Sequence, residues 1–384
     1  MMDLESFLAA KPLFYDVIDY DRFPKAYAKI AHFLHLPKII HIVGTNGKGS
    51  TGRFLATALS RAGKKTGHYT SPHILQFNER IWIDGEDVSD ATLNDAYQKL
   101  GKFLDTSTAE SLSYFEYTTL LAMVAFESCE YVVLEAGLGG EFDATNVFDK
   151  VLSIFTPIAF DHAAFLGSTI ESIASTKLRS MQTNALLGIQ KYDEVQSIAH
   201  EIAVSKQCRL QTLQESIDSR IRTRGLQLAL KNGLSEYLRD NCELAMVAFE
   251  LLGYKAQEVY FDQKALFGRL SKVAHNVTLD VGHNALAASA IAAAFQGKKI
   301  SLIYNSYGDK DYREILSLLA PIIDCVEIIT VDEERIVERP LLEAVLVELG
   351  LTYGTFESID PQKEYLVFGS FSVAEAFLKR MGKL

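Results

Sequence analysis

The sequence predicts an α/β protein: a doubly wound, mostly parallel sheet containing a phosphate-binding loop, followed by a smaller C-terminal α/β domain. Three observations carry this. A glycine-rich turn, Gly44-Thr45-Asn46-Gly47-Lys48-Gly49-Ser50-Thr51, joins a short buried strand to an amphipathic helix. Short apolar, β-branched runs then alternate with helical patterns, as strands covered by crossover helices do. Polar residues also gather just past those runs, where an open parallel sheet places its ligands.

The elements follow in order. Asp21 to Leu36 spaces Phe23, Tyr27, Ile30, Ala31 and Leu34 as a helix does, and Pro37 stops it, so residues 1–37 form a helical lead-in. Lys38–Val43 is too short for a helix and reads as a strand. Ser50–Arg61 carries Phe54, Leu55, Ala58 and Leu59 at helical intervals, closed by Gly63. Lys65–Thr70 is a strand, and Ile81–Ile83 before Asp84-Gly85 suggests a hairpin. Asp90–Phe103 is a helix with an acidic start, 105–113 a Ser/Thr-rich loop, and Phe115–Glu127 a helix. Tyr131–Leu134 and Val151–Thr156 are buried strands, ending at Glu135 and just before Asp161-His162. Ser168–Arg179 is a helix capped by Ser168 or Thr169. The pattern is weak over 186–215, and Asp240–Leu252 is a strong helix closed by Gly253.

Val259–Gln263 reads as a linker, which divides the chain into domains 1–264 and 265–384. The alternation then restarts: strand over Asn276–Val281, helix over Ala285–Phe295, strand over Ile300–Tyr304. Tyr312–Leu319, Cys325–Val331, Leu341–Leu349 and Glu364–Phe368 continue it, and Gly369-Ser370 precede a helix over Val373–Arg380. A chain of 384 residues exceeds what one hydrophobic core organises, in keeping with two domains.

Composition narrows the function. The formal net charge of −11 argues against nucleic acid or an anionic membrane as partner, since both demand basic surface. Small anions need only a local positive pocket. Cys129, Cys208, Cys242 and Cys325 show no paired spacing and read as reduced thiols. With no basic, apolar leader at the start and no apolar run of about 18 residues, a cytoplasmic protein is expected. Nothing demands more than a monomer.

The glycine turn points backbone N–H groups and a helix N-terminus at one spot, which suits phosphate. Lys48 adds a positive charge, and Ser50 or Thr51 a hydroxyl for magnesium. The standard pattern wants glycine six residues before the lysine and Ser or Thr directly after it. Here those places hold Ile42 and Gly49. Glu135, at the end of a strand and before Gly137, Gly139 and Gly140, stands where a magnesium-associated carboxylate belongs. A tight turn and a solvated acidic residue are the plainer alternatives.

Taken together, these motifs resemble the folylpolyglutamate synthase and dihydrofolate synthase enzymes of the Mur ligase superfamily, from about residue 21 to 375. His41–Thr51 resembles the family's P-loop, in the Gly-Lys-Gly-Ser form of its folate branch. Tyr69-Thr70-Ser71-Pro72-His73 with Glu79-Arg80-Ile81 is similar to a second signature, on the pteroate side. Leu134 to Gly140 with Asp143-Ala144-Thr145-Asn146 is similar to a third, Asp161-His162 with Leu166-Gly167 to a fourth, and Leu279 to Asn284 to a fifth.

The resemblance implies a Mur-ligase-like central domain carrying ATP and the pteroate or folate site, plus a Rossmann-like C-terminal glutamate-ligase domain. It implies an ATP- and Mg2+-dependent ligase joining the carboxylate of dihydropteroate or a reduced folate to L-glutamate through an acyl phosphate. Lys48, Lys177 and His283 would be catalytic, with Lys177 matching a lysine that the family carbamylates. Gly44 to Thr51, Asn241, Arg269 and Asp280 would hold ATP, and Ser50, Glu135 and His162 the metal. Ser71, Pro72, His73, Arg80, Asp143 and Ser370 would bind substrate, and domain closure would exclude water.

The sequence departs from the family in places. Glu141 stands where arginine is usual, Ala285 replaces a proline, and Tyr237-Leu238-Arg239 replaces a His-Gln approach to Asn241. Thr176-Lys177-Leu178-Arg179-Ser180 replaces Glu-Lys-Ala-Gly-Ile. Asp309-Lys310-Asp311 resembles a family loop and equally reads as a solvated charge run. A ligase for UDP-linked sugars and a non-catalytic nucleotide-binding homologue are the competing readings.

Overall fold

Lys38–Val43 (β1) forms the middle of the first sheet in a computed structural model that describes residues 3–11 and 19–382. The other strands are Thr66–Tyr69 (β2), Ile81–Ile83 (β3), Glu86–Asp87 (β4), Tyr131–Glu135 (β5), Lys150–Phe155 (β6), Asn184–Leu187 (β7) and Arg209–Thr212 (β8). They lie in the order β4-β3-β2-β5-β1-β6-β7-β8. The pairs β2–β3 and β3–β4 are antiparallel and the rest parallel. Strands β1, β2 and β5 are almost wholly buried, as strands covered on both faces must be.

Two cores lie side by side on the face of this sheet that Ile39 and Val43 share. Ile39, Val132 and Leu134 pack with helices Arg22–Ile30, Asp90–Phe103 and Tyr114–Ala125. Val43, Phe155, Ala185 and Leu187 pack with helices Ile170–Leu178 and Asp193–Ser205. The helix starts are chemically marked. Ser113 and Glu116 form a reciprocal capping box, and the Ser89, Asp105 and Thr169 side chains accept N–H groups of the following turn.

A second sheet contains Ser271–Ala274 (β9), Val277–Leu279 (β10), Ile300–Tyr304 (β11), Ile323–Ile328 (β12), Tyr353–Thr355 (β13) and Tyr365–Phe368 (β14). Its order is β13-β12-β11-β14-β10-β9, parallel except for β9–β10. The chain divides into two compact units. One contains 1–159, 163–227 and 240–262; the other contains 160–162, 228–239 and 263–384.

Several local expectations change. The polar 105–113 stretch holds a short helix, Thr106–Ser111, because Asp105 caps it. The weak 186–215 region resolves into the end of β7, a helix, β8 and the start of a helical turn, Leu213–Ser216. Ser219–Asn232 is a helix that the sequence pattern does not mark. Glu258–Phe261 forms one helical turn where a linker was expected. Of the expected lead-in helix, Arg22–Ile30 is α-helical and Ala31–Phe33 tightens to 3₁₀, while residues 12–18 lie outside the described ones. No helix among the described residues is long and apolar enough to cross a membrane.

Phe249 anchors the helix Glu236–Leu251 in the first unit: its buried ring lies 5.1 Å from Tyr254, 5.8 Å from Tyr260 and 5.5 Å from Phe261. Phe249→Ala removes the ring and leaves a cavity, and is expected to cost about 3–5 kcal/mol. A urea titration following the first unit measures it; an unchanged midpoint would contradict this packing.

Candidate active site

The first unit builds a phosphate cradle at the C-terminal end of β1. Gly47 has φ 85°, a left-handed conformation that suits glycine, and the helix Lys48–Arg61 starts directly after it. Gly44 passes so close to Thr156 that a Cβ would lie 2.0 Å from its Oγ1. The loop is tied down on that side. Thr45 and Asn46 donate their N–H groups to the Pro157 carbonyl at 2.9 and 3.3 Å, and Thr45 Oγ1 donates to Ala159 O at 3.0 Å. Asn241 packs against Gly47, whose added Cβ would meet Asn241 Oδ1 at 2.6 Å.

Two ammonium groups converge on one loop carbonyl. Lys48 Nζ donates to Gly44 O at 3.2 Å and Thr45 O at 3.3 Å, and Lys177 Nζ donates to Gly44 O at 3.1 Å. Lys177 is buried on the helix Ile170–Leu178. Glu135 faces this pair: its Oε1 lies 3.7 Å from Lys48 Nζ, and its Oε2 accepts the Thr70 hydroxyl at 2.5 Å. Ser50 Oγ and Thr51 Oγ1 are buried and make no hydrogen bond. Buried hydroxyls without partners are costly, so these await a polar group.

This donor set fits magnesium. Ser50 and Glu135 offer hard oxygens, and Mg2+ characteristically takes one or two protein oxygens plus phosphate oxygens and water. Among the described residues no group of three or more His, Cys, Asp and Glu side chains stands ready to hold a metal.

Beyond β2, Glu79 accepts N–H groups from Ile74, Leu75 and Gln76 at 2.7, 2.8 and 2.8 Å, which shapes the turn after Ser71-Pro72-His73. Arg80 is buried. It donates from Nε to His73 Nδ1 at 2.8 Å and places its guanidinium 5.2 Å from the Tyr114 ring. Asp143 organises the glycine loop. Its Oδ2 accepts N–H groups of Gly137 and Leu138 at 3.0 and 2.8 Å; its Oδ1 accepts Thr145 N–H at 2.9 Å and Thr145 Oγ1 at 2.5 Å. Burial raises the Asp143 pKa against the pull of these hydrogen bonds.

In the second unit, Asp161 gathers cations and donors. Lys310 Nζ lies 2.5 Å from its Oδ1, and Asn284 Nδ2 and His283 Nε2 lie 3.1 and 3.5 Å from its Oδ2. His162 Nε2 is 3.9 Å away. Burial pushes the Asp161 carboxyl up, but the His283 hydrogen bond and charge, with His162 and Lys310, outweigh it and hold the group well below the usual carboxylate range. Asp280 accepts Tyr237 OH at 2.9 Å and Leu270 N–H at 3.0 Å on one oxygen, and Gly282 N–H at 2.8 Å on the other. Arg269 Nη1 donates to Gly268 O at 3.1 Å, with the guanidinium 5.4 Å from the Phe371 ring. Ser370 caps the last helix by accepting Val373 N–H at 3.1 Å.

Comparison with known proteins decides the family. A Haemophilus influenzae dihydrofolate synthase/folylpolyglutamate synthase is 31% identical over 341 residues, covering 78% of this chain and 76% of the relative. The chain belongs to the dihydrofolate synthase/folylpolyglutamate synthase family. No family model matches it. A crystal structure of Helicobacter pylori folylpolyglutamate synthetase is 41% identical, covers 99% of this chain and 98% of that one, and superposes with a TM-score of 0.79. E. coli FolC in complex with DHPP and ADP is 25% identical, covers 100% and 98%, and gives a TM-score of 0.84. The α/β architecture with two mostly parallel sheets is therefore the family's own.

Within this family framework, the first unit brings Lys48, Ser50, Glu135, Lys177 and Asn241 to the phosphate loop, while His283 and His162 meet at Asp161 in the second. Three participants have no sequence signal that marks their role. Thr70 is bonded to Glu135, Tyr237 to Asp280, and Lys310 is buried against Asp161 rather than solvated. A lone lysine flanked by two acids gives no periodic signal, so only its partner's position reveals it. The departure at Glu141 also finds a partner: Arg179 Nη1 lies 3.3 Å from Glu141 Oε2, returning a guanidinium to the glycine loop from the neighbouring helix.

Asp161→Asn leaves the buried Lys310 ammonium without its anion and is expected to cost the second unit about 3 kcal/mol near neutral pH. Because the folded carboxyl titrates below its unfolded value, that advantage is present above the unfolded pKa and fades as pH falls toward the folded one. Urea midpoints of wild type and variant should differ between about pH 8 and about pH 5, and the difference should shrink as pH falls below the unfolded carboxylate value of 3.8. A difference that widens as pH falls below 3.8 contradicts the assignment.

Proposed function

We propose that the protein is an ATP-dependent ligase joining L-glutamate to the carboxylate of dihydropteroate, of a reduced folate, or of both. Family membership supports the reaction class. The observation that carries the reading to this chain is the cradle at Gly44–Thr51. There Lys48 and Lys177 share a loop carbonyl, Glu135 stands 3.7 Å from Lys48, and two buried hydroxyls lack partners.

The reaction joins two anions, so charge neutralisation and alignment carry the rate. An oxygen of the acceptor carboxylate forms a bond to the γ-phosphorus of ATP, and ADP leaves. The glutamate nitrogen then bonds to the acyl carbon, phosphate leaves with the acyl oxygen, and the amine loses its proton to solvent or phosphate. Lys48 exchanges its loop carbonyls for phosphate oxygens, and the amides of Lys48, Gly49 and Ser50 at the helix start hold the anion. Ser50 and Glu135 would hold Mg2+, which neutralises phosphate charge when bound. Lys177 lies within reach of the same loop, and its ammonium or a carbamate formed on it adds to the charge balance there.

On the acceptor side, the turn at Ser71–His73, Arg80 and the loop organised by Asp143 are assigned to the pteroate or folate. Arg80 supplies a guanidinium suited to a carboxylate. His283, Asp280, Arg269 and Ser370 in the second unit are assigned to nucleotide and glutamate on the strength of their motifs.

Mixing the protein with ATP, Mg2+, glutamate and dihydropteroate or tetrahydrofolate should release ADP in a pterin-dependent way. ADP release with neither pterin sinks the reading, and turnover with a UDP-linked sugar instead reassigns the branch. Lys48→Ala should lower kcat by about 10²–10³-fold with an unchanged unfolding midpoint; wild-type kcat in that variant overturns its role.

A further inference from the structure

Strand β1 carries one fully buried polar side chain that the reaction described above leaves unused. His41 sits three residues before Gly44, with no exposed surface, between Ile40 and Ile42. A buried imidazole needs a partner to offset its lost hydration, and an aliphatic residue would suit the strand better. The partner is Thr145, whose Oγ1 lies 2.8 Å from His41 Nε2.

The proton positions follow from valence. The Thr145 hydroxyl has one hydrogen, and at 2.5 Å from Asp143 Oδ1 it donates to the carboxylate. Thr145 therefore accepts from His41, which places the imidazole proton on Nε2. Burial, aided by the Lys150 charge, holds the ring neutral. Nδ1 is then a bare acceptor, and it has no hydrogen-bond partner. On β6, the residue in register with His41 is Ser153, whose buried hydroxyl is also without a partner.

The relay ends at the loop after β5. Asp143 accepts the Gly137 and Leu138 N–H groups, two and three residues past Glu135. Lys150 at the start of β6 fastens the same stretch by donating to Asn146 Oδ1 at 2.6 Å. The strand that carries the phosphate loop and its neighbour β6 thus both grip the 137–146 loop, one through a histidine and one through a lysine.

We propose that His41 is a positioning residue for the acceptor substrate. Its Nε2–H, acting through Thr145 and Asp143, holds the 137–146 loop in register with the strand that carries the phosphate loop. The role rests on the ligase reading above. Attack on the γ-phosphate requires reacting atoms within about 3–3.5 Å, and a misplacement of about 1 Å costs on the order of 10²-fold. Loss of the relay therefore acts on the acceptor and leaves ATP binding to the loop's own amides.

The test compares His41→Leu, which fills the site without a donor, with His41→Gln, whose amide N–H can reach Thr145. Steady-state kinetics are run with ATP, Mg2+, glutamate and dihydropteroate. His41→Leu should raise KM for dihydropteroate about tenfold with KM for ATP within about twofold, and His41→Gln should recover most of the loss. Equal acceptor KM values in wild type and a folded His41→Leu overturn the proposal, as does a parallel rise in KM for ATP. Should His41→Leu not fold, Thr145→Val and Thr145→Ser take its place: the serine keeps the hydroxyl and should resemble wild type, the valine should show the raised acceptor KM, and equal values overturn the role. Imidazole ¹⁵N shifts of selectively labelled protein give an independent reading. A neutral ring protonated at Nε2 is expected, and a proton on Nδ1 contradicts the relay. If the wild type shows no pterin-dependent turnover, the ligase reading fails and this role fails with it, whereas turnover without the KM change removes His41 alone.

Discussion

Parallel pairing of β1 with β5 places Ile42 opposite Glu135, and much of the first unit's chemistry depends on that register. A parallel register sends both strands out of the sheet on the same edge. The loop after one and the carboxylate at the end of the other then share a small volume, with Lys48 3.7 Å from Glu135. A slip of one residue would turn Glu135 to the opposite face of the sheet. The buried hydrophobic faces on either side forbid that slip, because Val132 and Leu134 would exchange places with residues packed elsewhere. Core packing thus sets a position that the chemistry uses.

The carboxylates near the sheet edge follow a common rule: each is held by several hydrogen-bond donors. Asp143 collects two backbone amides and a threonine, Glu79 three backbone amides, and Asp280 a tyrosine and two amides. Such carboxylates act as templates for backbone shape. Satisfying them costs the loops their freedom and returns fixed geometry, which a reaction between anions requires. By contrast Ser50 and Thr51 are buried without partners at the start of the helix. Unsatisfied groups beside fully satisfied ones mark the place where a ligand completes the bonding.

The sequence was legible where a motif and its structural context coincide. Strand, glycine turn and helix around Gly44–Thr51 lie where the apolar pattern put them, and Asp90–Phe103 matches its expected bounds. It was least legible where local signals conflict. The helix Ser219–Asn232 mixes its apolar residues with basic ones and a mid-helix Gly225, and the polar 105–113 stretch hid a helical turn whose cap, Asp105, outweighs its weak propensity. Lys310 illustrates the same limit at the site. Flanked by Asp309 and Asp311, it reads as surface charge, yet its side chain is buried against Asp161.

Local chemistry by itself determined the phosphate loop, the alternation of strands and helices, and the motifs that carry the family. Those features depend on residues close together in the chain, where spacing and conformational preference act directly. Tertiary structure decided the pairings: Lys177 with the Gly44 carbonyl, Thr70 with Glu135, Arg179 with Glu141, His41 with Thr145. Each joins residues far apart in sequence, and strand order rather than composition brings them together. The loop at His41–Thr51 states that phosphate is bound; the strands beside it, β5 and β6, determine which side chains meet it there.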